Sequence, residues 1–363
     1  MSSIPTTHEA VGLTSKSSGL VSFQLPTEAP DHDEVLIKVE WTLVSPVDLW
    51  QVDFDLLQQA AYPVTYGVNI VGEVVRAGED TPFQTGDKVF SMSFTHPSNK
   101  GKGFQEYATV PSYRVAKLPS NISPQEAVTI PDNFVTAYFT LFGEPNLQLP
   151  IPSELPSLST PLEAETPILV WGAGGSVGQY ALQILKLAGY RNVIAVASTR
   201  HHEYLLSLGA KHTVDYRSPS VVEDILRYAG GKLKYVFDTI ADEDGSLKLI
   251  SQVVEKGSKV AFLQPVRVGP QGAVTAVKHE TDIKFPEGAK LLGVRTFLYQ
   301  DIPKFKEELQ PKIMPDLVAR GLIKPNRVHE VEGKTLLERI KNGLDTLRRG
   351  EVSGDRLVIR IIN

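Results

Sequence analysis

A glycine-rich turn between a buried strand and an amphipathic helix constrains the fold of this chain more than any other feature. Residues 168–171 are all apolar, residues 172–178 contain four glycines, and apolar residues then recur at helical spacing as far as Ala188. Strands and helices continue to alternate up to Leu263, which is typical of parallel strands covered by helices. The sequence therefore predicts an α/β fold with a doubly wound parallel sheet.

The first third of the chain has a different pattern, with short predicted strands separated by turn residues. Residues 34–40 alternate apolar and charged side chains, which is the period-2 pattern of a half-buried strand. Further strands are predicted at residues 68–76, 88–92 and 104–110. Short strands with frequent turns predict a compact barrel or sandwich.

Two segments follow before the glycine-rich turn. Ser123, Pro124 and Glu126 form a predicted capping box, and the helix that it begins is expected to extend to Phe142. The proline- and serine-rich residues 146–166 are expected to form an extended surface loop, because so many prolines exclude regular structure.

The end of the chain is predicted to return to the first domain. Helices are expected at residues 305–320 and 335–349, followed by a last strand at 356–361. The two domains are expected to comprise residues 1–132 with 302–363, which are β-rich, and residues 133–301, which bind a nucleotide.

Composition and charge exclude several classes of protein. The chain has 363 residues, a formal net charge of −5 and 42% hydrophobic residues, which predicts a globular protein that binds no nucleic acid. It has no apolar run that would span a membrane and no cysteine for a disulfide or a sulfur-ligated zinc. Residues 1–20 lack a signal pattern, so we expect a cytoplasmic protein.

The glycine-rich turn is predicted to bind the pyrophosphate of a dinucleotide. Glycines let backbone N–H groups approach a phosphate closely, and the start of the following helix adds partial positive charge. The glycines stand at positions 172, 174, 175 and 178 rather than at the strict GxGxxG spacing. Without its strand and helix such a turn would be only a tight connection, so the context supports the prediction.

The cofactor is predicted to be NADPH. NAD-binding folds place an acidic residue on the ribose about 20 residues after the glycines, but here the segment reads Ser198-Thr199-Arg200-His201. Arginine offers a forked, permanently charged donor to a 2′-phosphate. The alternative interpretation is that Arg200 and His201 are only the solvated start of a helix.

Neither a bound metal nor a protein nucleophile is predicted. The eight histidines are dispersed apart from the pair His201-His202, whose side chains do not face one point on a helix. The chain has no GxSxG, P-loop or HExxH motif. The chemistry is therefore predicted to be hydride transfer supplied by the cofactor.

Several short motifs in the first ninety residues are those of a known family. Residues 45–48 (Ser-Pro-Val-Asp) look like an NPxD turn, and Tyr62-Pro63 matches a YP element. Residues 67–78 and 86–89 are similar to the GxExxGxVxxxG and GDxV stretches of a GroES-like domain. With the glycine-rich turn, these motifs resemble the zinc-independent, quinone-oxidoreductase-like branch of the medium-chain dehydrogenase/reductase superfamily. Relatives that contain zinc have Cys in the first turn and Gly-His-Glu at 67–69, ligands that this chain lacks.

Three further features narrow the resemblance. They are the loop at 146–166, Val-Asp-Tyr-Arg at 214–217, and the segment 347–357 near the end of the chain. They resemble the fungal trans-acting enoyl reductases, the lovastatin-type partners of polyketide synthases, and related fungal aldehyde and quinone reductases.

The resemblance implies a cofactor in a cleft between a Rossmann domain and a GroES-like domain. The pyrophosphate would be held by Gly174, Gly175, Ser176 and Val177, the 2′-phosphate by Ser198, Thr199, Arg200 and His201, and the adenine by Tyr216. Leu263 and Gln264 would approach the nicotinamide. The remaining cofactor contacts would be Val47, Asp48, Leu49, Trp50, Thr136, Ser353 and Gly354, and the substrate pocket would contain Trp50, Tyr62 and Thr136.

Several of these residues also have a purely structural interpretation. Thr136 could be a helix hydroxyl bonded to a carbonyl one turn back, and Trp50 could fill the core. Tyr216 could be an exposed loop aromatic, and residues 353–354 a turn before the last strand. Tyr62 is the candidate proton donor because some enoyl-reducing relatives have a tyrosine near this point, but it could also pack beneath the turn at Pro63.

The leading hypothesis is NADPH-dependent, metal-independent reduction of an activated C=C bond in an enoyl thioester or an enone. The substrate would be a small molecule or an acyl group bound to a carrier, with a synthase as a candidate partner. One alternative is an aldehyde or quinone reductase. Another is an NADPH-binding protein with little turnover that acts through a partner such as a synthase, with the contact supplied by the loop at 146–166 and by surface helices. The chain is expected to be a monomer or a homodimer paired through residues 259–263 or 290–297.

Overall fold

The chain folds into two compact units. The structure, a computed structural model, describes residues 4–56, 61–93, 98–269 and 274–362. The β-rich unit contains Met1–Asp132 and Pro303–Asn363, and the α/β unit contains Asn133–Ile302.

Strands and helices are distributed along the whole chain. In the part of the chain that the structure describes, the strands are β1 (Thr7–Leu13), β2 (Val21–Pro26), β3 (Glu34–Val44), β4 (Val64–Thr65), β5 (Asn69–Ala77), β6 (Lys88–Met92), β7 (Tyr107–Pro111), β8 (Val115–Lys117), β9 (Ile168–Trp171), β10 (Val193–Val196), β11 (His212–Val214), β12 (Leu233–Asp238), β13 (Val254–Leu263), β14 (Val266–Val268), β15 (Ala276–Lys278), β16 (Lys290–Val294), β17 (Arg327–Glu330) and β18 (Asp355–Arg360). The α-helices are α1 (Pro46–Phe54), α2 (Pro124–Ala127), α3 (Pro131–Phe142), α4 (Ser176–Leu187), α5 (His202–Leu208), α6 (Val221–Ala229), α7 (Lys248–Val253), α8 (Pro303–Glu308), α9 (Met314–Ala319) and α10 (Leu336–Arg348).

The β-rich unit is built on a sheet whose strands run in the order β17-β18-β3-β5-β6-β8, with β7 also paired to β3. A smaller antiparallel sheet has the order β2-β1-β4. Alternate residues of β3, Val35, Ile37 and Val39, are fully buried in the core, and α10 adds Ile340 and Leu344 to it. The predicted β-rich architecture is therefore confirmed, with the core on the face that the period-2 pattern selects.

The α/β unit contains a parallel sheet in the order β11-β10-β9-β12-β13-β16. Counted along the chain, this is the strand order 3-2-1-4-5-6 of the Rossmann fold. The direction of winding reverses beside β9, and ligands of such sheets bind outside the carboxyl ends of the strands at this point. The predicted doubly wound sheet is confirmed, and it places the glycine-rich turn after β9 at the reversal.

Two predicted helices are interrupted by proline. The expected continuous helix from Pro124 to Phe142 is wrong, because the chain forms α2 and then α3, which begins at Pro131. Pro131 has no N–H for a helical bond, and its ring would clash with the carbonyl of Ala127. Likewise the expected helix at 305–320 is divided into α8, a π-helical turn at Leu309–Ile313 and α9.

The parallel sheet also corrects one expectation about pairing between copies. Residues 259–263 belong to β13, which lies between β12 and β16 and so has both sides paired. Residues 290–294 form the edge strand β16. Among the described strands, β16 therefore has a side open to another chain and β13 does not.

Among the described residues, no helix combines the length and the apolar character that crossing a membrane requires.

Candidate functional site

The glycine-rich turn connects β9 to α4 at the carboxyl edge of the sheet, and the N–H groups of Gly172 and Ala173 bond to the carbonyl of Val196 at the end of β10. Gly175 is the N-cap residue of α4 and has no side chain to bond the first N–H groups of the helix, and the first turn holds no acidic residue. The twelve residues of α4 align their peptide dipoles toward this end. The turn is thus built to receive an anion.

Two of the glycines are required by the backbone itself. Gly172 has a φ of +76°, in the region that favours glycine. A Cβ atom on Gly178 would lie 2.5 Å from the Cα of Ala173 and 2.7 Å from the carbonyl oxygen of Gly172. The glycine at 178 therefore lets α4 start close against β9, which keeps the turn tight.

The segment after β10 is held by the carboxylate of Asp215, a role that the sequence pattern at 214–217 does not by itself reveal. Asp215 follows β11, and its Oδ2 accepts hydrogen bonds from the backbone N–H (3.0 Å) and hydroxyl (2.5 Å) of Thr199. Arg217 forms a fork on the same carboxylate through Nε (3.0 Å) and Nη2 (2.7 Å). The Arg217 guanidinium holds the pKa of the Asp215 carboxyl far below its usual range. The sequence feature that points to this role is the position of Asp215 directly after the next parallel strand, β11.

The other residues predicted to receive the 2′-phosphate and adenine differ in exposure. Arg200 is exposed, Ser198 is half-buried, and Tyr216 is 38% exposed. His201 is buried, and its ring carbon Cδ2 lies 3.0 Å from where a Cβ of Gly174 would be. His201 therefore packs beneath the glycine-rich turn rather than presenting its ring to solvent.

The α/β unit also contains the predicted residues Leu263, Gln264 and Thr136. Leu263 ends β13, and the Gln264 amide donates to the carbonyl of His279 (2.9 Å) and accepts from Nε of Arg295 (2.8 Å). The Thr136 hydroxyl lies 2.7 Å from the hydroxyl of Thr296. The glycine-rich turn, residues 198–201, Tyr216 and residues 263–264 thus share the carboxyl edge of one sheet, whereas Thr136 lies on α3.

The β-rich unit carries residues 47–50 on the first turns of α1. Asp48 is fully buried, and its carboxylate accepts hydrogen bonds from the N–H (2.9 Å) and hydroxyl (2.7 Å) of Ser45 and from the N–H of Gly67 (2.9 Å). Burial raises the pKa of the Asp48 carboxyl to about 6. Its side chain is therefore committed to holding α1 against the Gly67 turn, while Val47, Leu49 and Trp50 are half-buried.

A buried cation lies close to this carboxylate. Lys102 is 1% exposed, and burial lowers the pKa of its ammonium group to about 8, an effect that the nearby Asp48 opposes.

Tyr62 is half-buried and packs against the apolar core of the β-rich unit. This packing agrees with the structural interpretation of Tyr62 and leaves its role as a proton donor a prediction.

A second polar cluster replaces the acid that zinc-containing relatives carry at position 69. The buried Asn69 amide donates to the carbonyl of Val128 (2.8 Å) and to Oδ1 of Asp132 (2.7 Å). Arg356 forms an ion pair with Asp132 at 3.3 Å.

Ser353 and Gly354 immediately precede β18, as the structural interpretation expected, and Gly354 has a φ of +82°.

Comparison with known proteins places the chain in a family. The model of the alcohol dehydrogenase GroES-like domain matches residues 31–120, and that of the zinc-binding dehydrogenases matches residues 176–308. The trans-enoyl reductase himH of Aspergillus japonicus is 30% identical over 90% of both chains. The chain belongs to the medium-chain dehydrogenase/reductase superfamily. It is therefore an oxidoreductase, and enoyl reductases of this superfamily depend on a pyridine nucleotide.

Two further comparisons agree with this assignment. The enoyl reductase component lovC of the lovastatin nonaketide synthase, from Aspergillus terreus, is 28% identical and covers 91% of this chain and 90% of its own. The structure of an alcohol dehydrogenase superfamily protein from Novosphingobium aromaticivorans superposes with a TM-score of 0.75 at 21% identity, and covers 98% of this chain and all of that one. The second of these likenesses bears on the fold alone.

One of the two matching families is named for zinc binding. Within residues 4–56, 61–93, 98–269 and 274–362, no group of three or more His, Cys, Asp or Glu side chains is arranged to hold a metal ion. His96 lies outside the described residues. Ser45 and Asn69, at positions where zinc-containing relatives carry ligands, both have their polar groups engaged within the β-rich unit.

Proposed function

We propose that this superfamily member is an NADPH-dependent, metal-independent reductase that transfers hydride to an activated C=C bond. The acceptor is an enoyl thioester or an enone. The observation that supports this proposal most directly is the glycine-rich turn at the start of α4, with the exposed Arg200 at the carboxyl end of the neighbouring strand β10. The names of himH and lovC, both enoyl reductases, favour this acceptor over an aldehyde or a quinone.

The residues of the α/β unit fit a dinucleotide. At Gly175 an added Cβ would lie 3.2 Å from the carbonyl oxygen of Gly172, and at Gly174 it would meet the His201 ring at 3.0 Å. A side chain at either position would crowd the turn, so both positions favour glycine. Gly174, Gly175, Ser176 and Val177 would hold the pyrophosphate, and Arg200 would pair with the 2′-phosphate.

In the reaction, bound NADPH supplies a hydride for the β-carbon of the acceptor. Negative charge then develops on the acceptor's carbonyl oxygen, so hydrogen-bond donors placed there stabilise the transition state. The α-carbon takes up a proton from water or from a side chain, for which the Tyr62 hydroxyl is our candidate. Asp48 would act indirectly, by fixing α1 and hence Val47, Leu49 and Trp50.

We also propose that the substrate is an acyl group carried by a partner synthase. The printed name of lovC describes it as the enoyl reductase component of a synthase. The loop at 146–166 offers a contact surface, since Leu158 and Leu162 are 88% and 97% exposed. These two side chains are available for an apolar contact with a partner.

The proposed function is tested by following NADPH oxidation with a panel of enoyl thioesters, 2-alkenals, quinones and simple aldehydes. We expect turnover with the enoyl thioesters and slower or no turnover with simple aldehydes, and tighter binding of NADPH than of NADH by calorimetry. Turnover confined to quinones or aldehydes would contradict the acceptor. Tight NADPH binding without turnover on any acceptor would favour a binding partner with little activity.

A further inference from the structure

Asp215, Thr199 and Arg217 form a hydrogen-bonded cluster at the carboxyl ends of β10 and β11. Asp215 accepts five hydrogen bonds, two from Thr199 and three from Arg217, including the Arg217 backbone N–H at 2.9 Å. The Arg217 side chain is 56% exposed, whereas that of Asp215 is 18% exposed. The half-buried carboxylate is therefore the anchor, and the guanidinium is the part that faces solvent.

The anchor fixes the segment that would meet the ribose. Thr199 precedes Arg200, and both Thr199 bonds to Asp215 hold this segment where β10 ends. In Rossmann folds the group after the second strand contacts the ribose 2′ position. Asp215 alone would repel a phosphate there, so the site needs a cation that balances the carboxylate.

Arg217 neutralises the charge of Asp215 and keeps N–H donors that the carboxylate does not use. A guanidinium has five N–H donors, of which the fork on Asp215 uses two. Its carbon Cζ lies 5.4 Å from the centre of the ring of Tyr216, the residue expected to pack near the adenine. Anchored on one side and exposed on the other, Arg217 has the geometry of a phosphate ligand.

We infer that Arg217, held by Asp215, is a second cationic contact for the 2′-phosphate and that this pair, with Arg200, sets the preference for NADPH. The inference rests on the proposed function, because it assumes that a dinucleotide binds at this edge. It adds a specificity residue that lies after the third strand of the sheet rather than after the second.

The test compares two small probes by titration calorimetry, adenosine 2′,5′-bisphosphate and 5′-AMP, which differ only in the 2′-phosphate. For Arg217→Ala we expect the affinity for the bisphosphate to fall about tenfold or more, while that for 5′-AMP changes less than about twofold. Arg217→Lys should fall between, since lysine keeps the charge but not the fork. Arg227→Ala is the matched control, because Arg227 pairs with Asp224 on α6 in the same unit.

Three results would overturn the inference. Arg217→Ala could weaken both probes equally, or neither of them. In the double variant Asp215→Asn/Arg217→Ala, recovery of bisphosphate affinity would mean that Arg217 only neutralises Asp215 and touches no phosphate. A wild-type protein that binds neither probe would instead refute the proposed function itself, so the two failures are distinguishable.

Discussion

Asp48 in the β-rich unit and Asp238 in the α/β unit are both fully buried, yet their carboxylates are supported in different ways. Asp48 joins α1 to the Gly67 turn, which is distant in sequence, and has the buried Lys102 nearby. Asp238, at the end of β12, accepts from groups a few residues further on, which include the Ser246 hydroxyl (2.6 Å), the Ile240 N–H (2.9 Å) and the Ala241 N–H.

This difference shows how each unit specifies its part of the site. The pKa of both carboxyls is raised to about 6, chiefly by burial, and at Asp238 the nearby carboxylate of Asp242 contributes to the rise. At the end of β12, Asp238 is thus held locally and by neutral donors. The β-rich unit fixes its helix by a charge that connects distant segments, so removal of the charge should have a larger effect there.

The largest expected effect is that of Asp48→Asn. The amide would place a donor against the Ser45 N–H and leave Lys102 buried without its neighbouring charge. We expect a loss of about 3 kcal/mol in the free energy of unfolding, measured by urea denaturation. Asp53→Asn on the same helix, which breaks an exposed pair with Arg348, should cost about 1 kcal/mol or less. Equal losses for the two variants would show that the bonds of Asp48 to Ser45 and Gly67 stabilise the fold no more than the exposed Asp53–Arg348 pair does.

The same contrast explains what the sequence could predict. The strand, glycine-rich turn and helix around β9 follow local patterns of hydrophobicity and glycine, and their order in the chain predicts the parallel sheet. The roles of Asp215 and Lys102 depend on pairing between residues distant in the chain or on different strands, which periodicity does not reveal. Pro131 is visible in the sequence, but the apolar residues on both sides of it favour one continuous helix, and the structure divides that helix at the proline.

A smaller effect, which depends on pH, is expected for Asp238→Asn. Because the folded pKa of about 6 lies above the ordinary value of 3.8, Asp238 contributes stability that is full below pH 3.8 and is lost as pH rises through 6. Between pH 4.5 and 7 the wild type should therefore lose about 2 kcal/mol more than the variant.

Urea midpoints for both proteins at the two pH values measure this difference. The Ser246 hydroxyl also lies 3.3 Å from the carbonyl of Asp242, so it keeps an acceptor when an amide replaces the Asp238 carboxylate. Parallel pH profiles would mean that Asp238 is not the group that titrates, and the comparison of the two aspartates would fail.

The smallest expected effect concerns a neutral pair in the α/β unit, and it separates charge from burial. Thr136→Val removes the hydroxyl that lies 2.7 Å from that of Thr296, at an expected cost of about 1 kcal/mol. Since neither hydroxyl titrates, the loss should be the same at pH 4.5 and 7. Thr296→Val is the matched control and should lose a similar amount. If Thr136 also contacts the cofactor, Thr136→Val alone should weaken NADPH binding, and equal NADPH affinity in both variants would restrict Thr136 to a structural role.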